Sequence, residues 1–170
     1  MWQPVVELGA RGQYLVEAKR KIAIGIRGRT VTHWVRFENE GTPGFGVLSD
    51  GQIAVHEGDM FQGPVPAGDS MALDDVMLLT PCVPGKMIAL WNNSKSSAEK
   101  QGLEKPDYPL FFLKPSSSFL APGGVIRKPA SYDGRVIYEA ELGIVIGTTC
   151  SNVDEAGASD AIFGYTCVND

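Results

Sequence analysis

Strict alternation of side-chain type over residues 136–147, VIYEAELGIVIG, constrains the fold of this chain more than any other feature. Successive side chains of a β-strand point to opposite faces, so one face here is wholly apolar and the other carries Glu139 and Glu141. In a helix, two residues at this spacing would point to nearly opposite sides. The segment therefore predicts a strand with two neighbouring carboxylates on one face, followed by Gly143 and Gly147, which leave open space beside them.

Two adjacent carboxylates repel each other, and burying them is costly unless a cation neutralises them. Their oxygen atoms are hard ligands, which suit Mg²⁺, Mn²⁺ or Ca²⁺. The alternative interpretation is that Glu139 and Glu141 lie on a solvated sheet face and bind nothing. The sequence that follows favours the metal site.

The last twenty residues, SNVDEAGASDAIFGYTCVND, contain a helix signal and then a strand signal. The Asn152-x-x-Glu155 spacing predicts a capping box at the start of a short helix, and Gly164 is predicted to end that helix. Asp170 stands at the end of the strand predicted after this helix. A strand, helix and strand in this order bring two strand ends together, so a third carboxylate becomes available to the site.

The preceding part of the chain divides near residues 80–86, where Pro81 and Pro84 interrupt an apolar run. Before this boundary, residues 30–38 are β-branched and aromatic, and Asp50-Gly51 stands between two alternating segments, which is a strong hairpin signal. Residues 30–83 are therefore predicted to form a small β-rich lobe. Residues 84–170 form the second predicted domain.

Residues 1–29 hold six of the fifteen basic residues and two acidic ones, and they are predicted to be a solvated or partly disordered basic leader. A polyanion-binding arm is the alternative. The whole chain carries a net charge of −5, which argues against general nucleic-acid or anionic-membrane binding and favours a small-molecule partner. Three cysteines without CxxC spacing indicate neither a zinc knuckle nor a disulfide framework, so a cytoplasmic location is expected.

The second domain opens with a predicted strand over residues 87–91 and a short helix. The Ser96-x-x-Glu99 spacing predicts a capping box for this helix, and Gly102 is placed to end it. A further apolar strand, in KPDYPLFFLKPSSS, carries one lysine near its end, Lys114.

From about Pro84 to Asp170 the chain resembles the fumarylacetoacetate hydrolase superfamily, which includes acylpyruvate hydrolases and homoprotocatechuate-pathway decarboxylase/isomerases. The matching segments are PGKMIALWNN leading to AEK, PLFFLKPSSS, YEAELGIVIG and GYTCVND, all in the order of the family. The lobe before Pro84 also resembles the variable N-terminal domain of the family. The fold this implies is mainly β with short helices (α+β): a small N-terminal β-rich lobe, then the first half of a mixed β-sandwich roll.

The resemblance implies that Glu139, Glu141 and Asp170 bind one divalent metal, Mg²⁺ or Mn²⁺, and that Lys114 lines the substrate pocket. Hydrolytic members carry a histidine three residues before the glutamate that corresponds to Glu99, whereas this chain has Ser96. Serine is a poor general base without a partner that takes its proton. Glu99 is therefore expected either to act as a catalytic residue or only to cap its helix with Ser96.

Taken together, these features predict a metal-dependent enzyme that hydrolyses a C–C bond in a 2-oxo acid or 1,3-dicarbonyl compound. A decarboxylase or isomerase of aromatic-compound catabolism is the alternative, because it needs no histidine-activated water. A catalytically inactive binding relative is the second alternative. Residues 84–170 are expected to be an incomplete, N-terminal part of the catalytic domain, and the full-length protein is expected to be a homodimer without nucleic-acid or membrane partners.

Overall fold

The computed structural model describes the backbone of residues 5–9 and 13–17 and the whole of residues 31–170. In this part of the chain the structure is mainly β with two short α-helices and antiparallel sheets, which confirms the predicted fold class. The elements are β1 (Val5–Gly9), β2 (Gln13–Glu17), β3 (Trp34–Asn39), β4 (Thr42–Ser49), β5 (Gln52–Glu57), β6 (Val65–Ala72), β7 (Met77–Leu78), β8 (Met87–Trp91), α1 (Lys95–Gln101), β9 (Leu110–Lys114), β10 (Val125–Arg127), β11 (Ala140–Ile146), α2 (Glu155–Asp160) and β12 (Ile162–Asn169).

The chain divides into two compact units. The first comprises Met1–Cys82 together with Ala121–Asp170, and the second comprises Val83–Leu120. The predicted domain boundaries (1–29, 30–83 and 84–170) stay predictions. Within the predicted leader, β1 and β2 pair with each other and with β10 in an antiparallel sheet, and the rest of residues 1–29 lies outside the described residues.

The largest sheet is five-stranded and antiparallel, in the order β6-β5-β4-β3-β7. The predicted hairpin is confirmed at the β4–β5 connection, where Asp50 and Gly51 both have positive φ, 49° and 80°. Two successive positive φ angles are those of the tight turn whose twist matches that of the flanking strands. This turn sets the register of β4 against β5, which places Ser49 opposite Gln52.

The core of this sheet depends on two glycines of β4. A Cβ atom on Gly44 would lie 2.8 Å from Phe37 Cζ, and one on Gly46 would lie 2.8 Å from Ile53 Cγ2. The side chains that fill this space are the most deeply buried of the described apolar residues, Phe37 at 2% exposure and Ile53 at 0%. The missing side chains on β4 therefore allow two large residues of its neighbours to pack against its backbone.

An aromatic cluster lies on the other face of the sheet. Trp34 contacts Phe45 and His56, with ring centroids 6.1 and 4.9 Å apart. Phe163 of β12 joins the cluster, because its ring centroid lies 6.4 Å from that of Trp34 and 4.7 Å from that of Phe61. These contacts connect β12 to the five-stranded sheet within the same compact unit.

Two further sheets are two-stranded and antiparallel, β8–β9 with α1 in its connection and β11–β12 with α2 in its connection; both are called hairpins below, and their apolar faces are open. On β8–β9, Ile88 pairs with Leu113 and Leu90 with Phe111, and all four side chains are 48–68% exposed. On β11–β12 the face predicted from the alternation is apolar, but its large side chains are 54–58% exposed: Leu142, Ile144, Ile146 and Tyr165. The alternation correctly identified the apolar face of β11. No described residues cover this face or the apolar face of β8–β9.

The helix boundaries correct part of the sequence interpretation. The N-cap of α1 is Ser94 without a side-chain cap hydrogen bond, so Ser96 lies inside the helix and the predicted capping box with Glu99 is wrong. Gly102 ends α1 with φ 66°, as predicted. The cap of α2 is Asp154, whose carboxylate accepts from Gly157 N at 2.9 Å.

Two predictions about α2 therefore fail. Asn152 does not cap it but occupies a turn with φ 53°, because the acidic side chain two residues later is in position to accept from the helix N-terminus. The helix ends at Asp160, and Gly164 lies within β12. Among the described residues, no helix is long and apolar enough to cross a membrane.

Candidate metal centre

The predicted carboxylate cluster is built by the β11–β12 ladder. Glu139 and Asp170 lie immediately outside the two strands, yet their backbones extend the ladder: Glu139 N donates to Asp170 O at 2.6 Å, and Asp170 N donates to Glu139 O at 2.9 Å. Residues that exchange both hydrogen bonds in an antiparallel pair are directly opposite, with side chains on the same face. Glu141 lies on that face too, because it is two residues along the strand.

The three carboxylates converge. One carboxylate oxygen from each of Glu139, Glu141 and Asp170 lies within 4.8 Å of the other two, and none of the three side chains is buried. Glu139 and Glu141 thus share a strand face with Asp170 beside them, although the chain separates Asp170 from Glu141 by almost thirty residues. The geometry brings together the residues that the sequence proposed as metal ligands.

These residues fit a hard divalent cation. All three donors are carboxylate oxygens, the ligand type that Mg²⁺, Mn²⁺ and Ca²⁺ prefer. Two oxygens on opposite sides of Ca²⁺ are separated by about 4.6–5.2 Å, and around Mg²⁺ by about 4.0–4.2 Å. Three ligands of one ion include at most one such opposite pair, so the limit of 4.8 Å is compatible with Ca²⁺, and binding Mg²⁺ would require the side chains to move closer together. Carboxylate clusters at a protein surface also occur without a metal, so metal binding itself stays a prediction.

The space beside the cluster differs from the expectation. A Cβ atom on Gly143 would lie 2.7 Å from Val168 Cγ2 and 2.8 Å from Thr166 Cγ2, and one on Gly147 would lie 2.8 Å from Phe163 Cβ. The predicted open space at these glycines is therefore wrong. Side chains of β12 fill it, so the glycines serve close packing between the two strands. Open space is found instead at Gly164, the cross-strand partner of Val145, where a Cβ atom would meet nothing within 4 Å.

Glu99, the first of the two predicted catalytic residues, lies in the compact unit Val83–Leu120, whereas the carboxylate cluster lies in the other unit. It is exposed on α1 and lines a cavity of about 660 Å³. The wall of this cavity is mostly apolar and includes Trp91 and Tyr108, which are 54% and 81% exposed. Ser96 is one helical turn before Glu99 but is not among the described residues that line the cavity.

Lys114, the second predicted catalytic residue, ends β9 and is half-buried in the same unit. Its Nζ atom lies 5.2 Å from the ring centroid of Phe112, close enough for a cation–π contact. Lys114 lines a separate cavity of about 400 Å³. A second lysine, Lys86, lines this cavity as well, and the sequence interpretation missed it. Lys86 could have been found by pairing the two predicted strands, because it precedes Met87, the residue that pairs with Lys114.

Comparison with known proteins identifies the family. The sequence profile of the fumarylacetoacetate (FAA) hydrolase C-terminal family matches residues 86–170, half of the chain, and that of the Rv2993c-like N-terminal family matches residues 32–81. The chain therefore belongs to the fumarylacetoacetate hydrolase family, as the resemblance predicted.

Similar sequences come from archaea and bacteria. A protein of Archaeoglobus fulgidus is 38% identical over 121 residues, which are 71% of this chain and 44% of that protein. Protein Rv2993c of Mycobacterium tuberculosis is 39% identical over 119 residues, which are 70% of this chain and 43% of that protein. The chain thus spans less than half the length of these two relatives.

Similar solved structures agree in fold. One is 2-hydroxyhepta-2,4-diene-1,7-dioate isomerase of Mycobacterium marinum, with a TM-score of 0.68. Another is 5-carboxymethyl-2-hydroxymuconate delta-isomerase of Mycobacterium smegmatis, with a TM-score of 0.67. Each is 30% identical to this chain, and each match covers 82% of this chain and 54% of the other chain. A fumarylacetoacetate hydrolase of Exiguobacterium antarcticum has a TM-score of 0.58 at 26% identity, and covers 82% of this chain and 56% of its own. The similar structures therefore include both isomerases and a hydrolase.

Proposed function

We propose that this protein is a divalent-metal-dependent enzyme that acts on a 2-oxo acid or 1,3-dicarbonyl compound. The observation that carries the proposal is the convergence of Glu139, Glu141 and Asp170 within 4.8 Å on one sheet face. Membership of the fumarylacetoacetate hydrolase family supports it. The substrate is a small molecule, the assembly is a homodimer and the location is cytoplasmic in this proposal.

A Mg²⁺ or Mn²⁺ ion held by the three carboxylates would act as a Lewis acid toward the oxygens of such a substrate. Glu139, Glu141 and Asp170 supply three negative charges, and a bound cation would offset their mutual repulsion. Lys114 is proposed to provide positive charge where negative charge develops on the substrate. Glu99 is proposed as the group that accepts a proton. The predicted capping box with Ser96 is wrong, so capping of α1 is not an alternative role for Glu99.

Two reaction types are compatible with these residues. Hydrolysis of a C–C bond needs an activated water, and the family resemblance assigns that task to a histidine and glutamate pair. Isomerisation or decarboxylation needs no activated water. Ser96 in place of the histidine favours this second type. The two isomerases also have higher TM-scores to this chain than the hydrolase has.

The metal proposal is tested by calorimetric titration of the full-length protein with Mn²⁺. Glu139→Gln and Glu141→Gln are each expected to lower Mn²⁺ affinity at least roughly tenfold, because even partners that only orient a metal ligand typically contribute about 10- to 100-fold. Both variants are expected to retain the wild-type circular dichroism spectrum, since none of the cluster side chains is buried.

Glu104→Gln is the matched control, because it removes the same charge from an exposed glutamate outside the cluster. It is expected to leave Mn²⁺ affinity unchanged. Equal Mn²⁺ affinity in the wild type and both cluster variants would reduce the cluster to a solvated sheet face. An intact metal site with no turnover of any 2-oxo acid would instead leave a catalytically inactive binding relative.

The reaction type is tested by Ser96→His in the full-length, Mn²⁺-loaded protein. If the reaction is hydrolysis, restoring a general base is expected to raise the rate of acylpyruvate cleavage by about 10² to 10⁴. Ser97→His, one position along α1, is the control and is expected to give no gain. If the wild type turns over an oxaloacetate-like or muconate-like substrate and Ser96→His adds nothing, hydrolysis is the wrong assignment.

A further inference from the structure

The ladder between β11 and β12 contains one irregularity, a β-bulge at Phe163. Val145 lies opposite Gly164, but the next residue along β11, Ile146, lies opposite Ile162. Phe163 is therefore the extra residue of β12, and the described ladder gives it no cross-strand partner. A bulge interrupts regular pairing, so contacts outside the ladder are needed to favour it over a regular strand pair.

The ring of Phe163 makes such contacts with the unit that contains the five-stranded sheet. Its centroid lies 6.4 Å from that of Trp34 in β3 and 4.7 Å from that of Phe61 in the β5–β6 loop, the second in edge-to-face geometry. The loop itself is held by a turn in which Phe61 N donates to Asp59 Oδ1 at 2.7 Å. On the other strand, Gly147 makes room for the bulge, because a Cβ atom there would lie 2.8 Å from Phe163 Cβ.

The bulge determines which residue lies opposite Glu139. With the bulge, Glu139 and Asp170 exchange both backbone hydrogen bonds. Without it, the pairing found on the α2 side of the bulge would continue as a regular ladder and shift the rest of β12 by one residue, so that Glu139 would lie opposite Asn169. A shift of one residue moves every side chain to the other face, so Asp170 would then point away from Glu139 and Glu141.

We propose that Phe163 is a positioning residue for the candidate metal centre: its ring, held by Trp34 and Phe61, fixes the bulge and thereby the register that places Asp170 beside the two glutamates. Strand register is usually fixed by burial of one face. The large side chains of the apolar face of this hairpin are more than half exposed, so the aromatic contacts supply a constraint that the described part of this face does not. The consequence for metal binding rests on the proposed function, whereas the register can be measured without metal.

The test compares two changes at one position of the full-length protein. Phe163→Ala removes the ring and keeps the extra residue, so the strand is expected to lose the bulge and shift its register. Deletion of Phe163 removes the ring and the extra residue together. Gly164 then follows Ile162 directly in a regular ladder, and Asp170 is expected to stay opposite Glu139. The larger change is thus expected to be the less harmful one, which a merely structural role for the ring does not predict.

The register is measured by NMR with EDTA present. Ala140 and Asn169 form the pair next to Glu139 and Asp170, and because that neighbouring pair exchanges both hydrogen bonds, Ala140 and Asn169 are a non-hydrogen-bonded pair with close Cα atoms. An NOE between their Hα atoms is expected in wild type and in the deletion variant. Phe163→Ala is expected to lose it.

Calorimetric titration with Mn²⁺ measures the consequence for the site. Phe163→Ala is expected to lower Mn²⁺ affinity at least roughly tenfold, as for the loss of a group that orients a metal ligand, and deletion of Phe163 is expected to restore most of it. Tyr165→Ala is the control, because it removes a 56% exposed ring from the same strand, and it is expected to change neither the NOE nor the affinity.

Phe61→Ala weakens the same aromatic contacts without changing the hairpin, and it is expected to weaken the NOE in the same direction. This variant keeps the test decisive if Phe163→Ala does not fold. A wild-type NOE in both Phe163→Ala and Phe61→Ala, or its loss in the deletion variant, would overturn the proposal. Absence of Mn²⁺ binding in wild type would count against the metal centre alone, because the NOE is recorded without metal.

Discussion

The five-stranded sheet and the β11–β12 hairpin belong to the same compact unit, but they bury their apolar residues very differently. In the sheet, Phe37 and Ile53 are 2% and 0% exposed, because Gly44 and Gly46 of the strand between them leave room. In the hairpin, the large side chains of the apolar face remain more than half exposed. The sheet therefore contains its own core, and the hairpin has an apolar face without described covering.

The candidate metal site lies on the less well covered of these two regions, the β11–β12 hairpin. A two-stranded hairpin is at best marginally stable by itself, so β11–β12 depends on contacts such as that of Phe163 with Trp34. The carboxylate cluster is nevertheless on this hairpin, where short backbone hydrogen bonds between Glu139 and Asp170 fix its geometry. The pairing of the two strands, rather than a buried core beneath them, therefore determines the geometry of the candidate site.

The largest expected effect comes from removing core volume in the sheet. Ile53→Ala deletes a fully buried side chain and is expected to destabilise the protein by about 2–5 kcal/mol. Leu142→Ala in the hairpin deletes a side chain that is 58% exposed and is expected to change stability by no more than about 0.5 kcal/mol. Urea denaturation followed by circular dichroism measures both. A cost above about 2 kcal/mol for Leu142→Ala would show that the hairpin face is covered in solution.

A smaller effect is expected from adding a methyl group at matched glycines. Gly46→Ala places its Cβ against the carbonyl oxygen of Ala54, which is backbone and moves little, so a cost of about 1–3 kcal/mol is expected. The tight contacts of Gly143→Ala are with side-chain methyl groups of Val168 and Thr166, and the nearest backbone atom, Thr166 O, lies at 3.5 Å, so this variant is expected to cost less. The same urea titrations rank the variants.

Gly164→Ala is the control for both glycine variants. Its Cβ meets nothing within 4 Å, so it is expected to be neutral or to stabilise by up to about 1 kcal/mol through lower entropy of the unfolded chain. If Gly143→Ala proves as costly as Gly46→Ala, the hairpin is packed as rigidly as the sheet, and the contrast between the two regions disappears.

Sequence reasoning was most successful where local pattern determines structure. The Asp50-Gly51 turn and the alternation around Glu139 and Glu141 are properties of a few neighbouring residues, and both are confirmed as strand features. Short patterns were less reliable for helix ends. Several polar residues precede each helix, and which of them caps it depends on backbone angles that the sequence does not specify.

What depended on tertiary contacts was harder to predict. The approach of Val168 and Thr166 to Gly143 follows from cross-strand register, so the glycine was interpreted as open space when it is a packing position. Lys86 was missed for the same reason, since only the β8–β9 pairing brings it to the cavity of Lys114. The nearness of Asp170 to the glutamates was anticipated only because strand, helix and strand in sequence suggested converging ends.

The smallest expected effect concerns the two helix caps, one in each compact unit. The Asp154 carboxylate accepts a hydrogen bond from Gly157 N at 2.9 Å, whereas Ser94 makes no side-chain cap hydrogen bond. Asp154→Ala is therefore expected to cost about 1 kcal/mol, because it leaves a backbone donor of α2 without its partner, and Ser94→Ala is expected to cost close to nothing. Urea titration of both variants measures the difference.

Because α2 directly precedes β12, Asp154→Ala is also expected to speed hydrogen exchange at β12 amides and to leave the exchange of β4 and β5 amides unchanged. Equal exchange rates in wild type and Asp154→Ala would mean that β12 is held by its pairing with β11 and by the aromatic contacts of Phe163, independently of the helix that leads into it.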